Sequence, residues 1–120
     1  MQHYSEDHIW VRVLDQTATL GLSRHATAEL GELTFVELPN PGARFARGDV
    51  FCVVESVKTA ADLCCPIRGT VCAVNRLLEN QPALLNSSPE DDGWVCRLTD
   101  VDPADILHLL TPEQYEALQV

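Results

Sequence analysis

The sequence predicts a mainly β fold, a small sandwich or barrel of short strands carrying terminal helices, and three observations predict it. Short apolar or alternating runs recur between Gly, Pro, Asn and Asp breaks through the first three-quarters of the chain. Helical start signals cluster near the C-terminus, where Asp102-Pro103 and Thr111-Pro112 each pair a cap with proline at the first helical position. Finally, 120 residues with 46% apolar and 22% charged content suffice for one core and not for two, so residues 1–120 are expected to form a single domain.

Taken in order, Ile9–Leu14 reads as a strand bounded by Asp15, and Thr17–Leu22 follows at hairpin distance. Ser23 can cap a short helix through Glu29-Leu30, with Gly31 placed to end it. Leu33–Leu38 is the next strand. Pro39–Gly42 and Arg47–Asp49 are turns, and Val50–Val54 reads as a strand buried on both faces. Thr70–Val74 is another strand, residues 76–93 read as loop, and Trp94–Leu98 is the last strand. Two helices close the chain, one over Ala104–Leu110 and one opened by the Thr111 capping box, with Tyr115 and Leu118 on one side.

Charge and composition exclude several functions. Eighteen acids against eight bases give a net charge of -10, which repels phosphate backbones and anionic lipid, so neither nucleic acid nor membrane is an expected partner. No apolar run approaches the roughly 18 residues of a membrane span, and residues 1–8 show no secretory signal, so a cytoplasmic protein is expected. The five cysteines form no Cys-x-x-Cys and have no histidine at zinc spacing, so no metal site is expected. Cys52, Cys72 and Cys96 lie in apolar strands and are expected to pack as small hydrophobes. Cys64 and Cys65 are adjacent, so in a strand one of the two should be exposed, within reach of thiol exchange if its thiolate is populated.

One count stands apart: seven of the eight basic residues are arginine, and Lys58 is the only lysine. It sits in Val53-Val-Glu-Ser-Val-Lys-Thr-Ala-Ala-Asp-Leu63, where an apolar strand gives way to small and polar residues, a place for a turn. By physics alone a lysine on a turn is an ordinary solvated charge. The neighbouring carboxylates Glu55 and Asp62 read equally well as surface solvation, and His8 and His25 as local hydrogen-bonding groups.

Motifs spread in order over nearly the whole chain carry a resemblance. They are His8-Ile-Trp-Val11, Gly21-Leu-Ser-Arg-His-Ala26 with Leu30-Gly31, Phe35–Pro39, Gly48-Asp49, Val54-Glu-Ser-Val-Lys58, Pro66 with Gly69, Val74-Asn75, Asn80–Pro82, Leu85-Asn86 and Gly93-Trp94. The chain resembles the H-protein family of the glycine cleavage system. That resemblance implies the lipoyl/biotinyl hybrid fold, a flattened antiparallel β sandwich (a barrel-sandwich hybrid) with short helices, and lipoate bound as an amide to Lys58 at a hairpin tip. Gly48 stands ten residues before Lys58 and Gly69 eleven after it, as glycines flank the hairpin of lipoyl domains. The implied role is that of a non-catalytic carrier, in which the protein supplies placement and the cofactor the chemistry. Its partners would be a lipoate ligase or lipoyltransferase, a glycine decarboxylase, an aminomethyltransferase and dihydrolipoyl dehydrogenase. Glu55 would help the lipoylating enzyme recognise the hairpin, Asp62 flanks it, and His25 would lie near the cleft where a loaded arm rests. Biotin is disfavoured, because its acceptors resemble Met-Lys-Met and the sequence here is Val57-Lys-Thr59.

Three positions depart from the family. Ile9 stands where members have a glutamate associated with holding the aminomethyl amine, Arg24 replaces an aspartate, and Glu90 replaces a tyrosine. These changes leave the hairpin intact and alter the cargo side. An alternative therefore stays open, an H-protein-like lipoate-binding protein of sulfur oxidation serving a heterodisulfide-reductase-like complex.

Overall fold

The strands find antiparallel partners through short turns, and in the computed structural model, which describes residues 2–118, they build two sheets. The elements are β1 (Gln2–Tyr4), β2 (Ile9–Leu14), β3 (Thr17–Leu22), α1 (Arg24–Leu30), β4 (Leu33–Glu37), β5 (Arg44–Phe45), β6 (Val50–Ser56), β7 (Ala60–Cys64), β8 (Gly69–Val74), α2 (Leu77–Asn80), α3 (Leu84–Ser87), β9 (Cys96–Thr99), α4 (Pro103–Ile106) and α5 (Pro112–Ala117). One sheet has the order β1-β2-β3-β9-β8-β5 and the other β4-β6-β7, every pairing antiparallel. The molecule is flattened, 36 × 36 × 22 Å, as two apposed sheets should be.

The core lies between the sheets, with Ile9, Leu20, Leu22 and Leu98 from the larger one meeting Leu33, Val36, Val54 and Leu63 from the smaller. β2 buries three consecutive residues, Ile9, Trp10 and Val11, because Trp10 points to the opposite side and is covered there. Its indole Nε1 donates to Pro89 O at 2.9 Å, and a Cβ on Gly21 in β3 would meet the ring at 2.7 Å, so only glycine fits opposite it. The mainly β architecture with short helices agrees with the sequence reading.

Several boundaries differ, each for a physical reason. β1, not foreseen, pairs with β2, and Tyr4 also exchanges two backbone bonds with Leu110, Tyr4 N to Leu110 O at 2.9 Å and the reverse at 2.7 Å. That bridge pulls Leu110 out of helical geometry, so α4 ends at Ile106 rather than Leu110. β6 is not buried on both faces: Val50 is exposed, and a bulge between Val50 and Cys52 turns both Phe51 and Cys52 inward. Cys72 is exposed rather than packed, because β8 alternates and buries Val71 instead. The stretch 76–93 holds two single-turn helices, anchored by the buried Asn75, whose Nδ2 donates to Asp92 O and Trp94 O at 2.8 Å each. α5 keeps its capping box, yet only Tyr115 packs inward; Leu118 is exposed. α1 runs as the sequence placed it, from its Ser23 cap to its Gly31 stop, whereas β6 continues to Ser56 rather than Val54, β9 is Cys96–Thr99 rather than Trp94–Leu98, and β5 and β7 form where the residue pattern marks no strand.

Candidate functional site

Lys58 occupies the turn between β6 and β7, and the local sequence explains why the chain reverses there. Ser56 N donates to Thr59 O at 2.7 Å, while the Ser56 hydroxyl accepts from Lys58 N at 3.3 Å and Thr59 N at 3.1 Å. The serine oxygen thus supplies an acceptor to backbone donors that the tight reversal leaves outside the ladder. Val57, Lys58, Thr59 and Ala60 are all exposed, Val57 to 66%, so the amine stands clear of bulky neighbours. Among the described residues the ion pairs are His25–Glu29, Arg68–Asp102 and Arg76–Glu79, none of which uses Lys58.

The tip is also tied to the body of the molecule. Val57 N donates to Glu32 O at 3.0 Å, joining the hairpin to the bend between α1 and β4. Asn86, on α3, clamps that bend from the other side: its Oδ1 accepts from Leu33 N at 2.9 Å and its Nδ2 donates to Gly31 O at 2.8 Å. Gly31 has φ 84, and a Cβ added there would lie 3.5 Å from Lys58 Cε, so the aliphatic stem of the lysine runs past this glycine. Ser56 supports the turn through bonds to its own neighbours, whereas the roles of Gly31 and Asn86 are revealed only by long-range bonds.

Register places the two carboxylates on one face of the hairpin strands, in successive rows below the turn that carries the lysine. Phe35, Glu55 and Ala60 sit opposite one another across β4, β6 and β7, and Glu37, Val53 and Asp62 form the next row on the same outward face. Glu55 and Asp62 are exposed, so this face is acidic around an apolar ring. Cys64 lies further along the same face and is half-buried, whereas Cys65 is buried with its thiol donating to Ile67 O at 3.0 Å. Burial pushes the Cys65 thiol up to about 12, so of the pair Cys64 is the accessible one.

His25 is not on the hairpin. It sits on α1, its Nε2 3.0 Å from Glu29 Oε1 and its ring 4.9 Å from that of His8. Gly31 follows it by six positions, about 9 Å along the axis, so α1 leads from the histidine to the glycine beside the lysine stem. The departures from the family have structural consequences here. Ile9 is fully buried in the core, so its exchange trades a carboxylate for packing, and a glutamate at this position would face desolvation rather than simply gain an ion pair. Glu90 is a hub: Oε1 accepts from Tyr4 OH at 2.7 Å and Gln2 Nε2 at 2.8 Å, and Oε2 from Arg24 N at 3.0 Å. Burial and this carboxylate raise the Tyr4 phenol to about 12.

Comparison with known proteins fits this geometry. The family model described as glycine cleavage H-protein matches residues 2–120. A glycine cleavage system H protein of Listeria innocua is 43% identical over 113 residues, spanning 94% of this chain and 90% of that protein. Those of Dinoroseobacter shibae and Coxiella burnetii are 42% and 44% identical over 116 and 117 residues, covering 97% of this chain in each case and 95% and 90% of theirs. A crystal structure of a glycine cleavage system H protein from Mycobacterium marinum superposes with a TM-score of 0.90 at 30% identity, covering 98% of this chain and 95% of that one. Nothing among these matches favours the sulfur-oxidation alternative.

Proposed function

The chain belongs to the glycine cleavage H-protein family, and from that premise we propose that it is a carrier bearing lipoate in amide linkage on Lys58. The observation that carries this reading is the position of the sole lysine, exposed at the tip of a hairpin that is bonded to the α1–β4 bend. The residues present fit the group. A modifying enzyme needs an amine it can surround, and slim neighbours at a pinned turn provide one. Acylation removes the ammonium charge, which costs no ion pair here because Lys58 makes none among the described residues.

When attached, lipoate supplies a disulfide at the end of a long flexible arm. The chain's own residues do the rest. Ser56 and Asn86 fix the point of attachment, Gly31 leaves room for the stem, and Glu55 and Asp62 give the surrounding face a negative potential that steers basic patches on a lipoate ligase or lipoyltransferase. His25 stands near the N-terminal end of α1, the helix whose other end carries Gly31 beside the lysine stem, and would contact the arm if it folds back along that helix. The carrier itself is non-catalytic and serves glycine decarboxylase, aminomethyltransferase and dihydrolipoyl dehydrogenase in turn. One core shared by both sheets supports reading residues 1–120 as a single lipoyl-bearing unit. Among the described residues no helix is long and apolar enough to cross a membrane.

Expression with lipoate and a ligase, followed by intact mass measurement, tests the assignment. One lipoyl increment is expected on the native chain and none on Lys58→Arg, which keeps the charge but lacks a primary amine. An increment persisting in Lys58→Arg would refute it.

A further inference from the structure

We propose that His8, His25 and Glu29 form a binding site for one divalent transition-metal ion of zinc type. Their ligating atoms lie within 4.8 Å of one another, although the residues come from a turn and a helix separated in sequence. Spacing rules built on cysteine pairs pass over such a group. His25 and Glu29, four residues apart on α1, already bring Nε2 and Oε1 to 3.0 Å, a separation that suits two ligands on one ion. Zinc sits at roughly 2.0–2.2 Å from nitrogen and oxygen, which sets donors about 3.4 Å apart in a tetrahedron, so the third ligand needs only a side-chain adjustment. The His8 ring lies 4.9 Å from that of His25 and is tilted 40° to it.

The surroundings prepare His8 for this role. Its Nδ1 is 2.7 Å from the hydroxyl of the buried Tyr115, which is 2.6 Å from the hydroxyl of the fully buried Ser23, and Ser23 Oγ also accepts from Ala26 N at 3.1 Å. In the arrangement suited to a metal, His8 Nδ1–H donates to Tyr115 and Tyr115 donates to Ser23, which leaves His8 Nε2 with its lone pair free. A ligating histidine held through its other nitrogen is the usual outer-shell pattern of metal sites. The backbone is committed too: His8 has φ 68, with its carbonyl accepting from Ser23 N at 2.9 Å. His25 also borders an open cleft of about 440 Å³ lined by Arg24, Glu90 and Glu116, through which water can reach the ion to complete its coordination. Two imidazoles and a carboxylate suit zinc, copper(II) or nickel(II) rather than magnesium or calcium.

The site does not depend on the lipoyl reading, so the test uses the full chain in both native and Lys58→Arg forms. Calorimetric titration with zinc sulfate in a non-coordinating buffer should show one equivalent bound by either form. His25→Ala and Glu29→Gln should each weaken binding at least tenfold, with circular dichroism confirming that they remain folded. Glu29 is exposed, so its variant keeps the test valid if His25→Ala does not fold. In NMR spectra the ring signals of His8 and His25 should move together on zinc addition while those of His3 and His108 stay in place. No saturable binding by the native chain, affinity unchanged in Glu29→Gln, or binding abolished by alkylating Cys64 and Cys72 would each overturn the proposal.

Discussion

Glu55 isolates what one side chain contributes, because it is exposed on the hairpin strand and opposite Ala60, the residue that begins the return strand. Its carboxylate makes no ion pair among the described residues, so its value lies in the potential it presents to a partner. Glu55→Ala is expected to slow enzymatic lipoylation several-fold, with the difference shrinking as salt is added. Stability should move by less than about 0.5 kcal/mol, the usual range for a surface change that touches no packing. Time courses of lipoyl incorporation by mass spectrometry, run at low and high salt beside a thermal melt, check both halves. Equal rates would leave Glu55 as a solvated charge. Lys58 stands out in the sequence as the sole lysine, whereas Glu55 is singled out only by the resemblance, through the local motif Val54-Glu-Ser-Val-Lys58. Asn86 could not be given its role, since Gly31 and Leu33 lie more than fifty positions away.

The bend between α1 and β4 shows how elements rather than residues hold the site. Three segments meet there: the end of α1 at Gly31, α3 through Asn86, and the hairpin tip through Val57 N. Asn86→Ala would leave Leu33 N and Gly31 O without their partner, at a cost of about 1–3 kcal/mol. A fall in Tm of roughly 4 °C or more per kcal/mol is expected, together with faster proteolysis at the hairpin, because the bend that anchors Val57 loosens. Limited proteolysis mapped by mass spectrometry reads this directly; cleavage confined to other loops would show that the hairpin stands alone. The same scale explains where sequence reasoning stopped. Period-2 runs and caps located β2, β3, α1 and the start of α5, since each is encoded by adjacent residues. The two-residue β5 and the early end of α4 depend on partners far along the chain, Thr70 and Tyr4 respectively, while the three-residue β1 pairs with the nearby β2 but is too short to show a pattern of its own.

Across the whole molecule, buried protons couple both sheets to alkaline pH. Cys52 on β6 and Cys65 beyond β7 are each raised from 9.0 to about 12, chiefly by burial, and burial also raises Cys96 on β9 well above that reference. Tyr4 on β1 rises from 10.0 to about 12, again mainly through burial, with Glu90 adding to it. In every case the folded protein keeps a proton that the unfolded chain releases earlier. Their contribution is therefore intact below about pH 9 and declines as pH climbs through 9 to 12, because the unfolded state binds fewer protons there. Urea midpoints should accordingly hold steady to about pH 8 and fall by about pH 10.5, and Cys52→Ala, though less stable at neutral pH, should show a shallower fall. Thiol labelling supplies an independent check: near pH 8 a disulfide reagent should modify the exposed Cys72 and half-buried Cys64, and reach Cys52, Cys65 and Cys96 only after denaturation. If the urea midpoint were the same at both pH values, or all five thiols reacted in the native state, the cysteines would not be shielded by the core as the two sheets place them.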